Sequence, residues 1–160
     1  MNAWARHYAD ALTADLDDDE ALLGANRVTV VSASKLEVPA HSSGGRPGQP
    51  PVRRRGRKLP PLLAARKHGL AIPALIFILG ISERRLLIWK SSPMLAKPRE
   101  LVASYPLTKI ASIRRHRRLG PTRLSIVLDD GALVVVQALA SRRLGDLAAA
   151  FTTARSRPAS

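Results

Sequence analysis

The longest apolar run in the chain covers residues 70–81, LAIPALIFILGI, and a second run follows at residues 86–89. A membrane-spanning helix needs about 20 mainly apolar residues to cross about 30 Å of hydrocarbon. Twelve residues at 1.5 Å each reach only about 18 Å, and Pro73 interrupts the run. The pattern therefore favours two β-strands, 74–81 and 86–90, joined by a polar turn, over a membrane anchor.

Alternate side chains of a strand share one face, so every second residue of this hairpin is expected to enter the core. The predicted core positions are Ile76, Ile78, Leu86 and Ile88.

Five further segments are rich in β-branched or alternating apolar residues and are bounded by turn residues. They cover residues 27–32, 100–106, 106–118, 124–128 and 133–139. Asp130 and Gly131 form a predicted two-residue hairpin turn between the last two segments. Seven strands are therefore expected.

Apolar residues at helical spacing predict a helix near each end of the chain. Near the start, Trp4, Tyr8, Leu12 and Leu16 place one stripe on a helix over residues 3–16, which could dock on its own chain or on a neighbouring copy. Acids are unfavourable at a helix C-terminus, so the acidic run at 17–20 is expected to end it as a solvated turn. That run lacks the spaced ligands and the glycine of a calcium loop.

Near the end of the chain, the C-terminal helix is predicted from Ser141, a plausible N-cap, to about residue 154. Its apolar stripe consists of Leu144, Leu147, Ala148 and Phe151. A short helix is also expected after Pro61, stopping at Gly69 in the left-handed cap position. The prolines and glycines of residues 33–61 predict a flexible loop between the first strand and this helix.

The chain has 160 residues, a net charge of +14 and no cysteine. The first 20 residues contain one base and six acids, so the remaining residues contain 25 bases and six acids. Such a surface is expected to attract an anionic partner. The absence of thiols fits a reducing cytoplasm, and the acidic N-terminal stretch is not expected to be a secretory signal.

The segments ILGISERRLLIWK, ELVASYPLTKIASI and LSIVLDDGALVVV follow one another and are followed by the C-terminal helix. In these motifs and in the order of its elements, the chain resembles the pleckstrin-homology (PH) superfold over residues 21–155, and bacterial PH-like domains in particular. Bacterial PH-like domains carry a T-x-R-R-L-hydrophobic hairpin, and here Ser82 takes the threonine place before Arg84, Arg85 and Leu86. The resemblance implies a mainly β fold: a bent sandwich of seven antiparallel strands capped by the C-terminal helix. The N-terminal helix and the long first loop depart from that pattern.

No catalytic constellation is apparent, so an enzyme, a cofactor and a metal are not expected. The histidines His7, His41, His68 and His116 lie apart in the chain, and neither a nucleophile elbow nor a phosphate-binding glycine loop occurs. The remaining class of function is binding.

Two clusters of bases form the predicted anion or partner site. One lies in the first loop and the other around the turn between the fifth and sixth strands: Arg53, Arg54, Arg55, Arg57 and Lys58, and Arg114, Arg115, Arg117, Arg118 and Arg123. In the PH superfold, headgroups bind among the loops after strands one, three and six, or between the loops after strands one and five. Asp129 and Asp130 would repel a phosphate at the former site, so the resemblance implies the latter. Arg84 and Arg85 are interpreted as turn residues and not as ligands.

The sequence is thus interpreted as a cytoplasmic, non-enzymatic PH-like module that contacts an anionic membrane surface or an acidic protein face. Two alternatives stay open at this point. One is a protein that binds nucleic acid without sequence preference, since no base-reading helix is apparent. The other is a structural or oligomeric subunit that docks through its N-terminal helix.

Overall fold

The computed structural model describes residues 3–35, 61–67, 69–92, 94–95, 97–116, 122–139 and 144–156. Four short helices and seven strands alternate with turns along these ranges. They are α1 (Ala3–His7), α2 (Ala9–Thr13), β1 (Leu22–Lys35), α3 (Pro61–Lys67), β2 (Ile76–Ser82), β3 (Arg85–Ser91), β4 (Pro98–Pro106), β5 (Ile110–His116), β6 (Arg123–Leu128), β7 (Ala132–Ala138) and α4 (Gly145–Ser156).

All seven strands belong to one antiparallel sheet in the order β4-β3-β2-β1-β7-β6-β5. The 14-residue strand β1 joins the two halves of the sheet. Its first part, from Leu22 to Thr29, pairs with β2, and its second part, from Val28 to Lys35, pairs with β7. The prediction of seven strands followed by a C-terminal helix is confirmed, and α4 packs against β1, β2 and β5.

Several predicted boundaries are wrong. Strand β1 exceeds the predicted 27–32 at both ends, because its two edges find different partners. The N-terminal helix is broken at Tyr8 into α1 and α2. The described part of α4 begins at Gly145, and the predicted cap Ser141 lies outside the described residues.

The turns show one confirmed and one corrected prediction. Gly69, just after α3, has a φ of 87°, as its predicted cap position requires. Between β6 and β7 the turn contains three residues and not two, because β6 ends at Leu128 and β7 begins at Ala132. Its last residue, Gly131, has a φ of 82°, and its N–H donates to Leu128 O at 3.1 Å. A left-handed glycine at this place is typical of three-residue hairpin loops.

The sheet buries apolar side chains on both of its faces. The larger core lies on the inner face, under α3 and α4, and includes Phe77, Leu79, Ile81, Leu86 and Ile88. A smaller cluster lies on the outer face, where α1 and α2 cover the first half of the sheet; its members are Ala5, Leu12, Ala25, Ile78, Leu87 and Trp89. Trp4, Tyr8 and Leu16 pack against that cluster, so the predicted apolar stripe docks on its own chain.

This double burial explains the long apolar run of the sequence. From Phe77 to Ser82 every residue of β2 is buried, because one face meets the inner core and the other meets the N-terminal helices. The predicted core positions of β2 are therefore wrong in part. Ile78 enters the outer cluster, Ile76 is half-buried, and the inner core receives their neighbours. The run is a strand and not an anchor, and no helix in the described ranges is long and apolar enough to cross a membrane.

Trp89 is the largest side chain of the outer cluster and is fully buried. Its indole N–H donates to Asp15 Oδ2 at 2.9 Å, which ties β3 to the segment after α2. The ring also lies against Gly80 of β2. A Cβ atom at position 80 would stand 2.6 Å from Trp89 Cζ3, so only glycine fits there.

We therefore expect Gly80→Ala to lower the free energy of unfolding by about 1–3 kcal/mol, because the added methyl group forces Trp89 out of place. Urea unfolding measures the change. Gly24→Ala is the matched control, since its Cβ would meet its nearest neighbours at an ordinary 3.6 Å. The control should shift stability by less than about 1 kcal/mol. Equal effects of the two variants would show that Trp89 does not rest on Gly80.

Candidate anion-binding site

The described residues contain three of the ten bases predicted to bind an anion. Arg114, Arg115 and Arg123 lie on the hairpin of β5 and β6, and all three are exposed. The other seven lie outside the described residues: Arg53, Arg54, Arg55, Arg57, Lys58, Arg117 and Arg118.

The strand register divides the hairpin residues between the two faces of the sheet. Arg114 stands opposite Ser125, and His116 stands opposite Arg123. Directly opposite residues of an antiparallel pair share a face and have Cβ atoms about 4.5–5.5 Å apart. Arg115 stands opposite the buried Leu124 and so belongs to the other face. Four side chains with hydrogen-bond donors are therefore gathered on two adjacent rungs of the outer face.

One hydrogen bond links two of these side chains, and another links Arg123 to β7. His116 Nε2 and Ser125 Oγ are 2.7 Å apart, and which of them donates depends on the imidazole tautomer. Arg123 stands opposite Gln137 of β7, and its Nε donates to Gln137 Oε1 at 3.4 Å. Because Gln137 is neutral, this contact positions the guanidinium without cancelling its charge. We call Arg114, His116, Arg123 and Ser125 the hairpin cluster.

Within the described ranges, Arg114, Arg115 and Arg123 form no ion pair with a carboxylate. The acids Asp129 and Asp130 belong to the turn at the far end of β6. Six residues at about 3.3 Å each separate Arg123 from Asp129 by about 20 Å. That distance is about two and a half times the Debye length of about 8 Å at physiological ionic strength. The end of the hairpin therefore keeps its positive potential.

The predicted combination of the two basic clusters is not formed by the described residues. Strand β1 leads into the first loop at Lys35, which pairs with Ala132 beside the acidic turn. Gln137, which is next to Arg123, lies at the other end of β7 from Ala132. Five residues of strand at about 3.3 Å each place Gln137 about 17 Å from Ala132. Since residues 53–58 lie outside the described ranges, the combined site stays a prediction.

Arg84 and Arg85 contrast with the hairpin cluster, because each one pairs with the acidic run after α2. Arg84 binds Asp19 through two hydrogen bonds of 3.0 Å and 2.5 Å. Arg85 Nε donates to both carboxylate oxygens of Glu20 at 3.0 Å and 2.9 Å, and Arg85 also lies 3.3 Å from Asp17. These pairs tie the N-terminal segment to the β2–β3 turn.

The expectation of a solvated acidic turn is thus wrong for Glu20. The Glu20 side chain is fully buried, and it accepts hydrogen bonds from Arg85 and from Ser82 Oγ. Ser82 Oγ in turn accepts the backbone N–H of Arg85 at 2.8 Å. A buried carboxylate needs such partners, because its desolvation is costly. The acids before β1 and the β2–β3 turn therefore hold two distant segments of the chain together. We call this set of contacts the clasp; its members are Asp19, Glu20, Ser82, Arg84 and Arg85.

The clasp changes the pKa values of its acids. Burial alone would raise the pKa of Glu20, but the hydrogen bonds from Arg85 and Ser82 and the charge of Arg85 outweigh it, so that pKa lies below its ordinary 4.5. The hydrogen bonds and the charge of Arg84 likewise lower the pKa of Asp19 from its ordinary 3.8. Both acids are therefore ionised at neutral pH.

One groove lies between α4 and β1, with a volume of about 300 Å³. Its lining residues are Leu23, Asp146, Ala149, Ala150 and Thr153, so it offers a carboxylate and no base to an anion. Among the described residues no group of three or more histidine and acidic side chains could hold a metal ion.

Sequence reasoning found the arginines of the hairpin cluster but not their polar neighbours. The alternation of residues 124–128 predicts that Ser125 points away from the core. Its place beside His116 and Arg114 depends on the register of β5 against β6, which includes a bulge between Ile110 and Ser112. Gln137 belongs to the predicted seventh strand, but nothing local in the sequence marks it as the partner of Arg123.

Comparison with known proteins gives no further guide: no protein-family model matches the chain, and no curated protein matches it.

We expect Glu20→Gln to lower the free energy of unfolding at neutral pH by about 1–3 kcal/mol, because a charged hydrogen-bond acceptor becomes neutral. The folded-state pKa of Glu20 lies below the unfolded-state value near 4.5. Its contribution is therefore complete above about pH 4.5 and is lost as the pH falls through the folded-state pKa. The stability difference between the wild-type protein and the variant should shrink accordingly in urea unfolding at falling pH.

Glu100→Gln is the matched control for that comparison. Glu100 pairs with Lys90 at 2.6 Å, but their side chains are 67% and 51% exposed. Such a surface pair contributes about 0–1 kcal/mol. If Glu100→Gln lowered the free energy of unfolding as much as Glu20→Gln, the stabilising role of the clasp would be contradicted. The same holds if the stability difference between Glu20→Gln and the wild-type protein did not depend on pH.

Proposed function

We propose that this protein is a non-enzymatic, PH-like binding module that contacts an anionic membrane surface through its basic face. The contact is made by the hairpin cluster together with the neighbouring bases of the β5–β6 turn. The module works as a peripheral protein at the cytoplasmic face of the membrane.

The topology supports the PH-like part of the proposal. Strands β1 to β4 follow one another as a meander, β5 to β7 form a second meander, and β1 joins the two. The C-terminal helix α4 packs on the inner side against β1, β2 and β5. This arrangement agrees with a bent seven-stranded sandwich plugged by a helix.

The exposed arginines of the hairpin carry the functional part of the proposal. Arg84 and Arg85 are engaged in ion pairs with Asp19 and Glu20, whereas Arg114 and Arg123 have no carboxylate partner in the described ranges. Each base near an anionic bilayer contributes about 1 kcal/mol, so a cluster of this size needs no enclosed pocket. The hairpin cluster contains no phenylalanine, tyrosine or tryptophan, and His116 is its single ring. Proteins that bind single-stranded nucleic acid stack successive bases on several aromatic side chains, so a lipid surface is favoured over nucleic acid.

We expect the protein to sediment with phosphatidylcholine vesicles that contain phosphatidylserine, and to be released by salt, because salt screens exposed charges. Arg114→Gln combined with Arg123→Gln should weaken vesicle binding by about 30-fold, since two contributions of about 1 kcal/mol are lost.

The control removes the same two charges elsewhere. Lys67→Gln combined with Lys109→Gln alters two exposed bases, one on α3 and one on the 3-10 turn Leu107–Lys109 that precedes β5. This control should retain most of the binding. Equal losses would show that only the net charge matters. Absence of binding at low salt would overturn the proposal, and tighter binding to nucleic acid in a filter titration would replace it.

A further inference from the structure

Three of the most exposed large apolar side chains in the described ranges lie at one end of the β2–β3–β4 meander. Met94 is 93% exposed, Leu95 is 72% exposed and Leu75 is 52% exposed. Leu75 directly precedes β2, while Met94 and Leu95 lie between β3 and β4. The register brings these ends together, because Phe77 pairs with Lys90 and Ser91 pairs with Pro98.

The backbone of this connection is held in place although its apolar side chains are not packed. Ser92 N donates to Lys97 O at 2.9 Å, and Tyr8 Oη donates to Leu95 O at 3.3 Å, which links the connection to the N-terminal helices. An isolated exposed leucine needs no explanation. Two adjacent side chains at 93% and 72% exposure beside a third form an apolar projection, and its exposure to water is unfavourable. We call Met94, Leu95 and Leu75 the apolar tip.

Positive charges follow the apolar tip along the chain. Lys97 and Arg99 are exposed and form no ion pair with any described residue. Lys90 is neutralised by Glu100 at 2.6 Å. The tip therefore combines apolar side chains with two uncompensated bases. An anionic bilayer complements this combination, since it accepts apolar groups at the acyl boundary and bases among its phosphates.

The apolar tip and the hairpin cluster lie at the same level of the central strand. Thr29 of β1 pairs with Ile76 on one edge and with Gln137 on the other. Ile76 follows Leu75, and Gln137 holds Arg123. Both features therefore lie beside the middle of β1, one on each of its edges.

We infer that the connection between β3 and β4 inserts Met94 and Leu95 into the headgroup and acyl boundary of an anionic membrane, with Lys97 and Arg99 on the phosphates. This inference rests on the proposed function and adds to it a hydrophobic anchoring element. The hairpin cluster attracts the surface electrostatically, and the apolar tip makes the contact partly resistant to salt.

Because the chain contains no cysteine, a cysteine introduced at position 94 is the single site for a thiol-reactive label. Met94→Cys, carrying an environment-sensitive fluorophore, should show a blue-shifted and stronger emission when phosphatidylserine-containing vesicles are added. Lipids brominated near the headgroup end of the acyl chain should quench it. The control is Ala149→Cys with the same fluorophore, on the exposed side of α4, and it should show neither change.

Met94→Ser combined with Leu95→Ser should weaken binding to the same vesicles by about tenfold, since two apolar side chains no longer enter the boundary. The residual binding should be abolished by less salt than wild-type binding. Leu63→Ser, at a half-exposed leucine of α3, is the matched control and should leave binding unchanged. Because the tip is exposed, the urea midpoint of the double variant should equal that of the wild type.

The outcomes separate this inference from the proposed function. If the wild-type protein binds the vesicles while the label at position 94 stays unchanged, the insertion is refuted and the electrostatic contact stands. If the wild-type protein does not bind vesicles, both fail. If the label responds to protein concentration without vesicles, and the mass in solution doubles, the tip is covered by a second copy and the insertion is refuted.

Discussion

The two-sided pairing of β1 is the constraint on which the rest of the structure depends. This one strand hydrogen-bonds to β2 along its first part and to β7 along its second part. It is the element that joins the two meanders into one sheet. The shift of partner near Thr29 sets the relative position of the two halves. The outer face of the first half can then be covered by the N-terminal helices, while the hairpin of β5 and β6 extends on the other side.

Positive charge has two different uses in the described residues. In the β2–β3 turn, Arg84 and Arg85 are neutralised by acids that precede β1, and this pairing contributes to stability. On the β5–β6 hairpin, the arginines face solvent beside a serine, a histidine and a glutamine. The strongly acidic N-terminal segment thus acts on the turn arginines and leaves the hairpin arginines free of carboxylate partners among the described residues. Net charge alone would not distinguish these two roles.

The sequence predicts the elements well because their signals are local. The apolar runs, the glycines at 69 and 131 and the alternation of residues 124–128 each depend on neighbours within a few positions. The two-sided burial of β2 is not local, since it follows from α2 packing on the outer face. For that reason Ile78 is buried in the outer cluster and not beside Leu86 and Ile88, Ile76 is only half-buried, and the prediction of a solvated turn is wrong for Glu20. The candidate site follows the same division: Arg114 and Arg123 stand out by charge, whereas Ser125 and Gln137 are identified only by register.

The covering of the β2–β3 pair by the N-terminal helices has a consequence for the order of folding. Asp15 and its partner Trp89 are 74 positions apart in the chain, so their contact closes a long loop. Closing that loop lowers the entropy of the chain, and the loss must be offset by the contacts made afterwards. Leu12 has no outer cluster to join until β2 and β3 have paired. The segment that is synthesised before all the strands is therefore expected to dock among the last, completing the outer cluster after the sheet has formed.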